Sequence, residues 1–446
     1  MKTIAAQLKG PASKAKRLAL PGALWLTATF LPDAARAAVD GETAFILNTF
    51  SFLVHGFLVF WMAAGFAMLE AGMVRAKNAT TILLKNVSLF SIAAIAYYVA
   101  GFGLMYGDGS DLVEMLLDGD DGDDRALAGD FSAGHAAASN WFFQMVFVAT
   151  AASIVSGTLA ERIKLWPFLT FVAILTTAIY PIQGAWSWGG GWLSELGFVD
   201  FAGSTVVHAV GGWAALVGAL ILGPRRGKYV NGGGIRFMPG SSLPLAALGT
   251  FILWLGWLGF NGGSQLSMDS AADAIAIANI YCNSIMASAG GVLASLILCQ
   301  LRHRRIDVTL VLNGALAGLV SITASPDTPT VAAAVLIGAV GGTLVVFLVP
   351  LLDRLRIDDV VGAIPVHLAA GIWGTLAVVF THPEATILGQ LAGIAATGVF
   401  VVTCSTAAWM LIKFTMGLRP SQEAETIGLD ESELATRAWP EFRRAI

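Results

Sequence analysis

The chain has 446 residues, 56% of them hydrophobic and 13% charged, with a net charge of −4. Ordinary soluble domains carry roughly 25% charged residues, so a water-exposed globular surface is excluded. Uncharged runs near the ~20 residues that cross a bilayer core recur along the chain, and lipid offers no partner to an open backbone group, so the runs are read as helices.

Residues 1–37 read as a signal peptide. Lys2, Lys9, Lys14, Lys16 and Arg17 precede a short apolar stretch, Leu18 to Phe30, and the small residues Ala35 and Ala37 suit cleavage near Ala37. A bilayer-spanning domain is expected over 38–415, followed by a cytoplasmic tail over 416–446. Apolar runs fall at about 43–70, 86–107, 139–160, 165–186, 203–222, 242–262, 274–300, 308–323, 329–351, 360–380 and 386–413, which makes eleven spans. Basic residues follow every odd span: Arg75, Lys77 and Lys85; Arg162 and Lys164; Arg225, Arg226, Lys228 and Arg236; Arg302, Arg304 and Arg305; Arg354 and Arg356. The intervening loops hold almost none, apart from Arg125 in the acidic segment "DGSDLVEMLLDGDDGDDRALAGD", which reads as solvated linker. This asymmetry places the odd loops and the C-terminus in the cytoplasm and the N-terminus outside, in agreement with the leader.

Two stretches share a frame. "DFAGSTVVHAVGG" runs from Asp200 to Gly212 and "DVVGAIPVHLAAG" from Asp359 to Gly371, with histidines His208 and His367 at the same place in each. One lies on the fifth span and one on the tenth. Five is odd, so a repeated five-span unit enters the membrane upside down the second time. The spans then divide into inverted halves, about 43–222 and 242–380, and a final helix, 386–413. Each histidine follows its aspartate by eight residues, ~12 Å along a helix, from opposite faces of a ~30 Å core. The two rings are therefore expected to meet near the midplane. Asp200 and Asp359 suit helix N-caps, and Gly203, Gly211, Gly212, Gly362 and Gly371 permit close helix approach.

An ionisable residue inside the membrane is a functional candidate by default. A chance repeat or a packing pair is the bland alternative, and matching depth on both histidines counts against it. His55 has no twin and reads as a packing residue; His135, His303 and His382 fall in loops and receive no role. Cys282, Cys299 and Cys404 sit in apolar runs without metal-ligand spacing and read as small packing residues. No cofactor, metal or nucleic-acid partner is expected.

At these motifs the chain resembles the ammonium transporter and Rhesus-protein family. "FFQMVFVATAASIVSGTLAERIK" (Phe142 to Lys164), "WSWGGGW" (Trp186 to Trp192), "WLGWLGFNGGS" (Trp254 to Ser264) and "GAIPVHLAAGIWGTL" (Gly362 to Leu376) are similar to family segments in the same order. Trp188 and Ser264 together resemble the bacterial ammonium-transporter branch. The resemblance implies a homotrimer in the bacterial inner membrane with one pore per subunit, conducting ammonium or ammonia, with methylammonium as analogue. It implies an outer recruitment site at Trp188, Phe147 and Ser264, an aromatic gate at Phe147 and Phe260, and the twin histidines below. Asp200, Trp257 and Asp359 fall at vestibule or structural positions.

The chemistry of the residues suits that expectation. An aromatic face attracts a small cation, and a serine hydroxyl accepts an N–H. A bare ion in a dry path faces an idealised desolvation cost of order 20 kcal/mol, which loss of its proton largely removes. Read without the resemblance, Phe147, Phe260 and Trp188 are packing or interfacial aromatics in a chain with 25 Phe and 13 Trp. A non-conducting ammonium sensor on the same scaffold is the alternative. A metal-dependent membrane enzyme lacks a third convergent ligand. The tail begins like the family's, "GLRPSQEAETIGLDESE", then departs at "LATRAWPEF", which puts a PII-type regulator in doubt more than transport.

Overall fold

The computed structural model describes residues 39–107, 121–230 and 232–440, so the expected signal peptide lies outside the described residues, as do part of the acidic linker and the last residues of the tail. The described residues are all-helical, and the protein is a multi-pass membrane protein. Among the described residues nine helices are long and apolar enough to cross a bilayer: α1 (Gly41–Met73), α2 (Ala76–Tyr106), α3 (Ala137–Leu159), α4 (Leu165–Ala185), α5 (Ser204–Leu222), α6 (Leu243–Gly263), α7 (Ala271–Arg302), α9 (Val331–Arg354) and α11 (Ile387–Thr415). The two remaining expected spans coincide with shorter apolar helices, α8 (Val308–Ile322) and α10 (Ile364–Phe380).

The helix starts are written in the sequence. Asp40, Ser242, Ser270, Asp307, Thr330 and Thr386 each precede a helix and accept a hydrogen bond from a first-turn backbone N–H, satisfying donors that the helix itself cannot. Burial then sorts helices by position. The most apolar stretch of α3 is 94% buried, against 28% for α2 and α9, so α3 is central and the other two face outward. Phe50, Phe57, Trp61, Phe251 and Leu255 point away from the core, as lipid-facing side chains do.

α1 packs along α6, and α5 and α10 pack reciprocally: the body of each contacts the first turns of the other. Small residues set that contact. A Cβ on Gly212 would sit 2.7 Å from the Leu368 backbone nitrogen, and one on Gly371 would sit 2.4 Å from the Ser204 carbonyl oxygen. No larger residue fits at either crossing without moving backbone.

Two sequence expectations need correction. Asp200 and Asp359 were expected to begin their helices, but α5 starts at Ser204 and α10 at Ile364. Gly203 (φ 105°) and Gly362 (φ 78°) turn the chain through the left-handed region first. Among the cysteines, Cys299 is buried as expected, whereas Cys282 is exposed. The expected packing role of His55 agrees with its surroundings: it is buried on α1, its Nδ1 lies 2.9 Å from the Ser51 carbonyl, and its ring meets Tyr281 edge-on.

Candidate functional site

Both repeated frames fold into the same device. After the left-handed glycine the first turns are π-helical, Ser204–Ala209 and Ile364–Ala369, each carrying its histidine. Asp200 is buried and gathers four backbone N–H groups, those of Gly203, Ser204, Thr205 and Val206, at 2.8–3.1 Å. Burial pushes its carboxyl up to about 6 against the pull of those four donors. Asp359 makes the smaller version: it accepts from the Gly362 and Ile364 N–H groups and from the Thr158 hydroxyl. The π-turns are a recurrent feature of functional helices because they re-aim side chains. Here they bring the two imidazoles together.

His208 and His367 are both buried, with Nδ1 facing Nδ1 at 3.2 Å and ring centroids 5.2 Å apart. Two neutral rings in that arrangement share one proton: one donates Nδ1–H and the other accepts. Their outer Nε2 atoms then have opposite roles, because the accepting ring must carry its own hydrogen on Nε2. Nε2 of His208 is buried without a hydrogen-bond partner among the described residues. Such an atom is costly to leave open, by about 1–3 kcal/mol.

The pair stands within a file of rings. Trp188 meets Phe147 edge-on at 5.9 Å, Phe147 stacks on Phe260 at 4.0 Å, Phe260 lies 5.2 Å from His208, and His367 lies 6.3 Å from Phe66. Trp257 stacks on His208 at 4.9 Å and is fixed by its indole N–H donating to Thr323. Trp188 is anchored by an N–H bond of 2.8 Å to the Asp200 carbonyl. The Ser264 hydroxyl, one turn beyond Phe260, donates to the Phe260 carbonyl at 2.8 Å, which leaves its lone pairs available. So the structure gathers Trp188, Phe147, Phe260, Trp257, His208 and His367 into one column, with Asp200 at the Trp188 end. Asp359 lies apart from the aromatic set, beside Thr158 at the far end. Beyond His367 is a cavity of about 10 Å³, lined by Phe66, Leu69, Glu70, Ile154, Asn313 and His367 among others, enough for a single water-sized molecule.

The order of these motifs along the chain matches a known family across nearly its whole length: the model described as Ammonium Transporter Family covers residues 50–439. The chain belongs to the ammonium transporter family. It is 40% identical to ammonium transporter Amt2 of Archaeoglobus fulgidus, the alignment covering 87% of each chain. It is also 40% identical to a putative ammonium transporter of Synechocystis, over 87% of this chain and 88% of that one. A solved structure named as a sensor Amt protein superimposes with a TM-score of 0.80 at 35% identity, covering 88% of this chain and all (100%) of the other. Mep2 of Candida albicans, at 24% identity, shares the fold with a TM-score of 0.74 over 86% of this chain and 89% of its own.

Within this ammonium transporter family member, the column contains groups that the sequence reading passed over. Glu70, Asn86 and Ser156 form a buried polar cluster beyond His367, and Phe66 extends the ring file. The available signal was a lone carboxylate at the end of the first apolar run, which the span boundary at residue 70 hid. Among the described residues no group of three or more His, Cys, Asp or Glu is placed to hold a metal ion.

Proposed function

We propose that the protein is an ammonium transporter that recruits ammonium at the Trp188 end, removes a proton and passes ammonia along the ring file past His208 and His367, with net movement of charge. The observation that carries this reading is the paired imidazoles at 3.2 Å, one with an open Nε2, sealed beneath stacked Phe147 and Phe260. A Trp face and a free serine lone pair suit a small cation with N–H donors. The stacked phenyl rings disfavour a charged ion and admit a neutral one. A proton entering at one Nε2, with the shared Nδ1 proton shifting across, leaves at the other Nε2. Potassium has no removable proton and is refused on the same grounds.

The architecture proposed with this function has eleven spans, five plus five inverted plus one. The N-terminus lies outside and the C-terminus inside a bacterial inner membrane, and a signal peptide ends near residue 37. The reciprocal packing of α5 and α10 supports the inverted halves. Assembly as a homotrimer and contact of the tail with a PII-type regulator are carried over from the family resemblance. Methylammonium is the expected analogue substrate.

A second reading is a non-conducting ammonium sensor, which the structural likeness to a protein named as a sensor favours. Purified protein in liposomes separates the two. Ammonium-evoked current, a smaller response to methylammonium and none to potassium support transport. Saturable ammonium binding without flux supports the sensor. His208→Asp is expected to change conduction while leaving the assembly folded; unchanged rate and selectivity in that variant overturn the role of the pair.

A further inference from the structure

We propose that Glu70 is a proton-exchange group of the conduction path, working beyond the histidine pair at the end remote from Trp188; the proposal rests on the transport reading above. Glu70 is buried, 1% exposed, three residues before the end of α1. Its two oxygens are treated differently by the fold. Oε2 accepts from Asn86 Nδ2 at 3.1 Å and from the Ser156 hydroxyl at 2.8 Å. Oε1 is equally buried and has no partner among the described residues.

The open oxygen is associated with a space. Glu70 and His367 line the same cavity of about 10 Å³; of the other polar side chains there, Ser153 donates to the Ala149 carbonyl and Asn313 to the Val361 carbonyl. Gly157 packs beside the same carboxylate: a Cβ there would press on the Val361 side chain at 2.5 Å and reach ordinary contact with Oε1 at 3.5 Å. The titratable side chains facing Glu70 are Lys85 from α2, whose ammonium is held by the Ile163 carbonyl, and His367 from α10. α3 contributes Ser153 and Ser156 and α8 contributes Asn313, all uncharged.

A carboxylate held by one oxygen and open at the other is built to take and return a proton. One water-sized molecule in the cavity, water or the ammonia in transit, bridges His367 to Oε1. A proton arriving through the pair bonds to that molecule as another of its protons passes to Oε1. The resulting acid gives its proton to the next base on the way out, ammonia or water, and returns to carboxylate. One proton moves, only N–H and O–H bonds form and break, and no electrons are exchanged. Nothing apolar at this position could do the same, and an unpaired buried carboxylate oxygen is too costly to keep as packing.

The test uses the full-length protein in proteoliposomes, with ammonium-evoked current and a luminal pH dye read on the same preparation. Glu70→Gln keeps the shape and the Asn86 and Ser156 side but carries no exchangeable acid. The expected result is a loss of current of about tenfold or more, with ammonia entry still seen, now as a luminal alkalinisation larger than the wild type's because ammonia enters without its proton. Glu70→Asp is expected to keep more than about a tenth of the current. A Glu70→Gln current within about twofold of wild type overturns the proposal, and so does a parallel fall of current and ammonia entry in a protein with an unchanged melting temperature, which marks a pore-shaping role. If the Gln variant does not fold, the Asp variant decides, and complete loss of current in a folded Asp protein counts against Glu70. Failure of the transport reading itself is distinguishable, because it shows as absent flux in the wild type and removes this proposal with it.

Discussion

A buried imidazole held Nδ1 to Nδ1 against another satisfies one nitrogen of each ring and leaves the far nitrogens out of that bond, so in the proposed transport each residue of the column matters for what it leaves unbonded. Trp188 shows the same economy: its N–H is spent on the Asp200 carbonyl at 2.8 Å, which in the proposed recruitment site leaves the ring face to the cation. Cation–π attraction is worth about 0.5–2 kcal/mol, so Trp188→Leu is expected to raise KM for ammonium by about 2- to 30-fold with kcat nearly unchanged. Initial-rate measurements over a range of ammonium concentrations check this, and a fall in kcat at constant KM would count against a recruitment role. The histidines were legible in the sequence because a repeated frame survives translation into matching depth. Phe147, Phe260 and Trp188 were not legible from composition, since 25 Phe and 13 Trp dilute any single one; only the family resemblance singled them out. Glu70 was missed because its meaning depends on which of its oxygens stays unbonded, a property of Asn86 and Ser156 as much as of itself.

At the scale of elements, the repeated unit is an aspartate, a left-handed glycine and a π-turn. Reading Asp200 as an ordinary N-cap placed the helix start too early, because one carboxylate here serves four N–H groups and the chain must wrap around it to present them. Asp200→Ala strands those donors in the interior and is expected to cost about 2–4 kcal/mol. Asp359→Ala strands two backbone donors and is expected to cost less. Thermal unfolding in detergent should rank the two in that order. Gly371→Ala is a separate test of the α5–α10 crossing. Its Cβ would press on the Ser204 carbonyl at 2.4 Å, and overpacking of this kind costs about 1–3 kcal/mol. Because the displaced turn carries His208, loss of flux is expected to exceed loss of stability; a variant with wild-type flux would show that the pair tolerates separation.

Across the whole molecule, loops far apart in sequence meet at one end of the bundle. Glu161 pairs with Arg75 and Arg225, Arg225 also pairs with Asp358, and Arg162 donates to the Asp358 carbonyl. The loops after α1, α3, α5 and α9 are thereby joined on one face, the same loops that the charge pattern groups together. The tail is docked there too: Asp430 accepts from the Thr80 and Thr81 N–H groups and so caps α2, while Glu425 pairs with Arg226 and Arg419. Burial opposes the Glu425 carboxylate, but hydrogen bonds from Arg419 and the Arg226 backbone outweigh it and hold its pKa below the usual 4.5. A depressed carboxylate contributes stability above its unfolded pKa and loses it as pH falls through the folded value. Protection of the tail amides, corrected for the intrinsic pH dependence of exchange, is therefore expected to be constant from about pH 7 to 5 and to fall below about 4.5. Glu425→Gln should show the acid level of protection already at neutral pH; equal protection in variant and wild type would mean that the tail is held by other contacts.

The sequence by itself determined that this is a helical membrane protein, where most of its helices begin, which loops share a face and that two histidines sit at matching places. Each of those follows from local rules: apolar length, capping chemistry, charge counts and a repeated frame. Tertiary structure alone decided that the two imidazoles touch through Nδ1, that the aromatic rings align into one file with them, and that a buried carboxylate keeps an oxygen open beside a water-sized cavity. The physical reason is that contact and its absence are set by partners brought from distant parts of the chain, and no local pattern encodes which atom will be left without one.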